Sequence, residues 1–225
     1  MRINADLSLR AVVASEDLPW VASPAAGVER RMLEREGDEV ARVTSIVRFA
    51  PGSRFPAHEH GGGEEFLVLA GTFSDDEGDF PAGSYVRNPV GTRHAPRTEE
   101  GCTLLVKLHW MRPEDRAVVR VDTRRDDLWQ PGGRPGIEVM DLHSFGDESA
   151  ALLRLASGAA LPARDLPGGE ELFVLEGACA DAAGDYPTGT WIRTPPGEAP
   201  ALLSRTGCRL YVKRGHLADP PPAPQ

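Results

Sequence analysis

His58 and His60 stand two residues apart, and Glu64 follows them across Gly61, Gly62 and Gly63. On an extended chain residues i and i+2 share a face, so two imidazoles can be aimed at one point. The glycines permit a sharp turn. The apolar run 66–69 then reads as a returning strand that carries Glu64, or its neighbour Glu65, back toward that point. A further candidate, His94, closes the segment Asn88-Pro89-Val90-Gly91-Thr92-Arg93-His94. Three imidazoles and one carboxylate suit a borderline divalent transition metal and leave coordination positions open.

The elements that must position these side chains read as strands. Segments 9–13, 28–34, 40–49, 84–87 and 103–109 carry strand-like patterns, and Glu36-Gly37-Asp38 is hairpin-like. No window shows an apolar period of 3.6, so the chain is expected to be all-β. The high counts of Gly, 24, and Pro, 20, fit many turns between short strands. Residues 1–7 read as an arm, and Asp75-Asp76-Glu77 as a solvated loop. Lys107 and His109 fall on one face of one strand, and His109 reads as structural or surface, with lining of the pocket as the alternative.

The second half repeats the first. Pro162 to Gly177 lies over Pro56 to Gly71, and Asp185 to Arg193 over Asp79 to Arg87, each 106 positions on. Ala117-Val118-Val119 matches Ala11-Val12-Val13, and Gly136-Ile137-Glu138 matches Gly27-Val28-Glu29 at an offset of 109. A unit of this length is domain-sized. The expected division is 1–113 for a first barrel, 114–218 for a second, and 219–225 for a proline-rich, disordered tail. The copies differ where chemistry would be done. Arg164 stands for His58, Leu166 for His60 and Pro200 for His94, and only Glu170 keeps the type of Glu64. One metal per chain is therefore expected, in the first half. Arg87 and Arg193 match each other, as do Cys102 and Cys208, which favours structural roles for all four.

These residues also carry a resemblance. Gly52, His58-x-His60, Glu64 and Gly71 keep the spacing of the first cupin motif, and Asp79-Phe80-Pro81-Ala82-Gly83 through His94 resembles the second. The chain is similar to the cupin part of ChrR-type anti-sigma factors and their stand-alone relatives. The resemblance implies two tandem double-stranded β-helix (jelly-roll) barrels, a bicupin. It selects Glu64 over Glu65 beside His58, His60 and His94, with zinc, iron, manganese or nickel as the metal. It implies either a dioxygenase-like enzyme acting on a small oxygenated molecule or a non-catalytic sensor. Capture of a sigma factor is not expected, because no helical zinc-binding domain is legible before residue 52.

Charge and composition narrow the partners. A formal net charge of −9 argues against nonspecific binding to nucleic acid or an anionic membrane. No apolar run approaches the roughly 20 residues of a membrane span. Three cysteines without a Cys-x-x-Cys pair, and no leader-like segment, fit a reducing cytoplasm. A small-molecule ligand or substrate is the expected partner, and the second barrel would serve as the face of a homodimer or another docking surface, or would only stabilise the first.

Overall fold

The computed structural model describes residues 1–224. Its regular elements are strands, with two short 3-10 turns at Ser15–Asp17 and Asp126–Leu128. Among the described residues no helix is long and apolar enough to cross a membrane. The chain folds as two compact units. One contains Met1–Ala5, Leu18–Arg124 and Pro221–Gln225, and the other Asp6–Asp17 and Arg125–Pro220.

In the first unit the main sheet runs, neighbour to neighbour, through Arg2–Ile3, Val28–Gly37, Ala41–Phe49, Cys102–Leu108, Glu64–Asp75, Ser84–Asn88 and Val119–Asp122. A separate two-stranded ribbon pairs His58–Glu59 with Arg93–His94. The second unit repeats the plan with Ile137–Phe145, Glu148–Leu155, Cys208–Arg214, Glu170–Asp181, Thr190–Thr194 and Ala11–Ala14, and its ribbon pairs Arg164–Leu166 with Gly197–Ala199.

Alternation along the strands builds each core. Phe66, Val68, Val86, Leu104 and Val106 are buried in the first. Leu172, Val174, Ile192, Leu210 and Val212, each 106 positions on, are buried in the second. The repeat is therefore a repeat of inward-facing positions with period two. Gly71 marks a shared irregularity. Its φ is 68°, and an added Cβ would run into the carbonyl oxygen of Gly101. Two residues earlier, at Leu69, the register between the Glu64–Asp75 and Cys102–Leu108 strands slips by one, a bulge that bends the barrel wall. Gly177 repeats the feature with φ 70° against the Gly207 carbonyl.

Against the expected halves 1–113 and 114–218, the compact units exchange short segments. Val119–Asp122 pairs with Ser84–Asn88 in the first unit, and Ala11–Ala14 pairs with Thr190–Thr194 in the second. The arm 1–7 includes a strand, Arg2–Ile3, opposite Glu36 and Arg35. The tail is docked at Pro221, whose carbonyl accepts a hydrogen bond from Arg42 at 2.9 Å. Gln225, the last residue of that tail, lies outside the described residues.

Candidate metal centre

The ribbon sets His58 and His94 directly opposite each other in antiparallel register. His60 follows the ribbon and is pinned by its own backbone, its N–H donating to the Thr92 carbonyl at 2.9 Å and its carbonyl accepting from Gly91 at 3.0 Å. Gly63, with φ 75°, completes the turn at a point where a side chain would collide with Met111. Glu64 then opens the long strand, opposite Asn88 on one side and Leu108 on the other. Ligand atoms of His58, His60, Glu64 and His94 all lie within 4.8 Å of one another. Glu64 Oε2 is 3.4 Å from Nε2 of both His60 and His94. Glu65 is buried outside this cluster, next along the strand.

The three rings are held in one tautomer. His58 Nδ1 is 3.0 Å from the Pro56 carbonyl, and His94 Nδ1 is 3.0 Å from the Asp75 carboxylate. Both partners are pure acceptors, so each Nδ1 carries the proton. His60 Nδ1 meets the Thr92 hydroxyl at 2.9 Å, and that hydroxyl donates to the Pro89 carbonyl at 2.7 Å. Its proton is committed, so His60 Nδ1 is again the donor. All three Nε2 atoms are left with a lone pair. Those of His60 and His94 are buried and make no hydrogen bond. A buried polar atom without a partner is costly, and an arrangement that leaves two of them beside a carboxylate fits a metal ion. The carboxylate has its own support. Asn88 Nδ2 donates to Glu64 Oε2 at 3.2 Å, while Arg120 donates to Asn88 Oδ1 at 2.7 Å and so fixes which way the amide points.

Electrostatics separates the rings. Burial pushes the His60 imidazole down to about 4; the neighbouring His94 and His58 act in the same direction and Glu64 opposes them. Burial also lowers His94, but its bond to Asp75, with Glu64 adding to it, outweighs burial and raises it above the usual imidazole value. A proton and a metal would compete for the same Nε2, so a metal held here would be released as pH falls.

Asp75 corrects the sequence expectation. It is the last residue of the Glu64–Asp75 strand, 2 % exposed, and not part of a solvated loop. Burial pushes its carboxyl up, but the bonds from His94 and the Glu77 backbone N–H prevail and hold it below the usual carboxylate value. Asp75→Asn is expected to weaken metal binding about 10- to 100-fold, measured by competition with a chelator, because a neutral amide orients His94 less firmly.

His109 also departs from expectation. Lys107 is buried, hydrogen-bonded to Thr44 at 2.7 Å and set over the Trp110 ring. His109, with a left-handed φ of 59°, turns instead toward the interior and lines a cavity of about 440 Å³. His58, His60 and Glu64 line the same cavity, with an apolar wall that includes Val43, Val47, Phe49 and Leu104.

The second barrel closes the corresponding place. Strand register sets Ala199 opposite Arg164, so Ala199, one residue before Pro200, stands where His94 does in the first ribbon. Glu170 is 1 % exposed and is held by Arg164 and, at 2.7 Å, by Arg214. The cavity beside it measures about 10 Å³, no more than one water occupies. Two guanidinium groups here neutralise the one carboxylate that persists. Arg87 and Arg193 are likewise buried and structural, Arg87 on Asp115 and the Ala117 carbonyl, Arg193 on the carbonyls of Asp6 and Leu9.

The model of one family, the ChrR Cupin-like domain, matches residues 8–112 and again residues 115–218. No curated protein matches the chain. Among solved structures, a proposed dioxygenase from Nostoc punctiforme is similar with 15 % identity and a TM-score of 0.77, covering 97 % of this chain and 88 % of its own. Salicylate 1,2-dioxygenase from Pseudaminobacter salicylatoxidans is similar with 12 % identity and a TM-score of 0.67, covering 96 % and 87 %. A mutant of Bacillus subtilis oxalate decarboxylase is similar with 13 % identity and a TM-score of 0.59, covering 91 % and 77 %. At these identities the likeness is one of fold.

Proposed function

From a chain that belongs to the ChrR cupin-like domain family, and carries its barrel twice, we propose that only the first barrel is chemically active. It holds one divalent transition metal on His58, His60, Glu64 and His94 and acts as a metal-dependent enzyme, of dioxygenase type, on a small oxygenated molecule. The observation that carries this reading is the pair of buried Nε2 atoms, of His60 and His94, each 3.4 Å from Glu64 Oε2, with His58 in the same cluster and every Nδ1 tied to an acceptor. A redox-active metal bound by this donor set supplies sites for a substrate oxygen and for dioxygen.

The residues of the chain do the rest. Asp75, Thr92 and the Pro56 carbonyl orient the rings, and Asn88 with Arg120 orients the carboxylate. The apolar wall excludes water from around a bound organic body. The dioxygenases among the structural neighbours favour oxygen chemistry over hydrolysis.

Elemental analysis of protein purified without a chelator or a histidine tag is expected to give about one transition-metal ion per chain, the ratio a single four-donor site sets. Protein loaded with iron(II) is then expected to consume oxygen with some member of a panel of diketones, aryl ketones and flavonols. Two ions per chain, or none, overturns the reading. Metal and ligand binding without oxygen uptake assigns the barrel to sensing.

A further inference from the structure

Two arginines share the cavity with His58, His60 and Glu64 and, among the described residues, have no buried counter-ion. Arg30 and Arg35 both lie on the Val28–Gly37 strand, opposite Val47 and Val43, and all four line the cavity. Arg35 is 4 % exposed. Its one hydrogen bond, to the Glu39 backbone carbonyl, is 3.5 Å long. Arg30 comes no closer than 3.9 Å to the Glu39 carboxylate, which is 72 % exposed, and its Nε is buried without a partner. Burial pushes the Arg35 guanidinium below its usual value, and the charge of Arg30 pushes it the same way, against a pull from Glu39 and Asp38 at the surface.

Other buried arginines of this barrel are treated differently. Arg87 has Asp115 at 2.6 Å, and Arg42 has Glu36 at 2.7 Å. Desolvating a guanidinium without an ion partner is strongly unfavourable, so two neighbouring ones in one cavity call for an anion from outside.

The second barrel supports this. Register sets Val139 opposite Leu153 where Arg30 faces Val47, and Ser144 opposite Ser149 where Arg35 faces Val43. The barrel without the imidazoles is also the barrel without these arginines.

We propose that the ligand of the first barrel is a small organic carboxylate, its carboxyl group held by Arg35 and Arg30 and its apolar body lying along Val43, Val47 and Phe49. The fork of a guanidinium matches a carboxylate with two parallel hydrogen bonds. A cavity of about 440 Å³ admits a molecule of one or two rings. Its apolar wall disfavours a compact dianion. This rests on the first barrel being the ligand-binding one, and it names the substrate class for that site.

The test compares each carboxylate with its own carboxamide on the full chain: benzoate, phenylacetate and hexanoate against benzamide, phenylacetamide and hexanamide. Calorimetric titration is run on zinc-loaded and on metal-stripped protein. At least one carboxylate is expected to bind about 10- to 100-fold more tightly than its amide in both forms. Arg35→Met is expected to abolish that preference while metal content stays that of the wild type. Free Arg35→Met is also expected to melt no lower than the free wild type, because a repulsion is removed. No preference for any carboxylate, or a preference that survives Arg35→Met, overturns the proposal. The metal assignment is read separately: charge selectivity in a protein that retains no metal would sink the metal reading and leave this one standing.

Discussion

Replacing His58 and His60 together with alanine is expected to lower the metal content from about one ion per chain to below about a tenth, since two remaining donors cannot retain a transition metal through purification. His58 sits opposite His94 in the ribbon, and His60 lies 3.4 Å from Glu64. What remains, Glu64 and His94, offers two donor atoms 3.4 Å apart. Arg164→Ala is the control. It alters the matching place of the second barrel and is expected to leave metal content unchanged. Elemental analysis of the three proteins side by side decides the matter, and a double variant that keeps its ion removes these histidines from the site.

Asp115→Ala is expected to give the largest loss of stability, about 3–5 kcal/mol, the usual cost of stranding one member of a buried ion pair. Arg87 is 1 % exposed, and its guanidinium bonds Asp115 at 2.6 Å inside the first unit. Without the carboxylate its guanidinium is left with the Ala117 carbonyl, which carries no charge. Combining Arg87→Met with Asp115→Leu is expected to cost less than Asp115→Ala alone, because no bare charge is then left in the interior. Urea unfolding of the two variants measures this. Arg87 immediately precedes Asn88, the amide that orients Glu64, so the single variant should also bind metal more weakly.

The four residues of the cluster were legible because their spacing is local: two histidines share a strand face, glycines reverse the chain, and a carboxylate opens the return. The groups that hold them were not. Asp75 sits in an acidic run that reads as solvent-exposed, yet the end of a long strand buries it against His94. Thr92 and Asn88 look like ordinary turn residues until the ribbon closes. Arg30 and Arg35 lie in the highly charged stretch 29–36, which has the pattern of a surface strand. A barrel interior that takes a charged ligand violates the apolar-inside rule at those positions. His109 escaped for a backbone reason, since a left-handed φ reverses the face that strand alternation assigns.

The fold class and the duplication could be read from period-two patterning and the 106-residue offset. The exchange of strands could not. Segments 11–13 and 117–119 match each other in sequence, and trading two equivalent segments between equivalent barrels leaves every alignment between the halves intact.

That exchange sets a timetable for synthesis. The first barrel can close once Val119–Asp122 has left the ribosome, whereas Ala11–Ala14 waits for Thr190–Thr194, well over a hundred residues later in the chain. Until then the nascent chain carries an unpaired edge. A gene truncated after residue 113 yields a first barrel missing its closing strand, Asp115 and the arginine behind Asn88, together with an orphaned N-terminal strand free to pair with the wrong molecule.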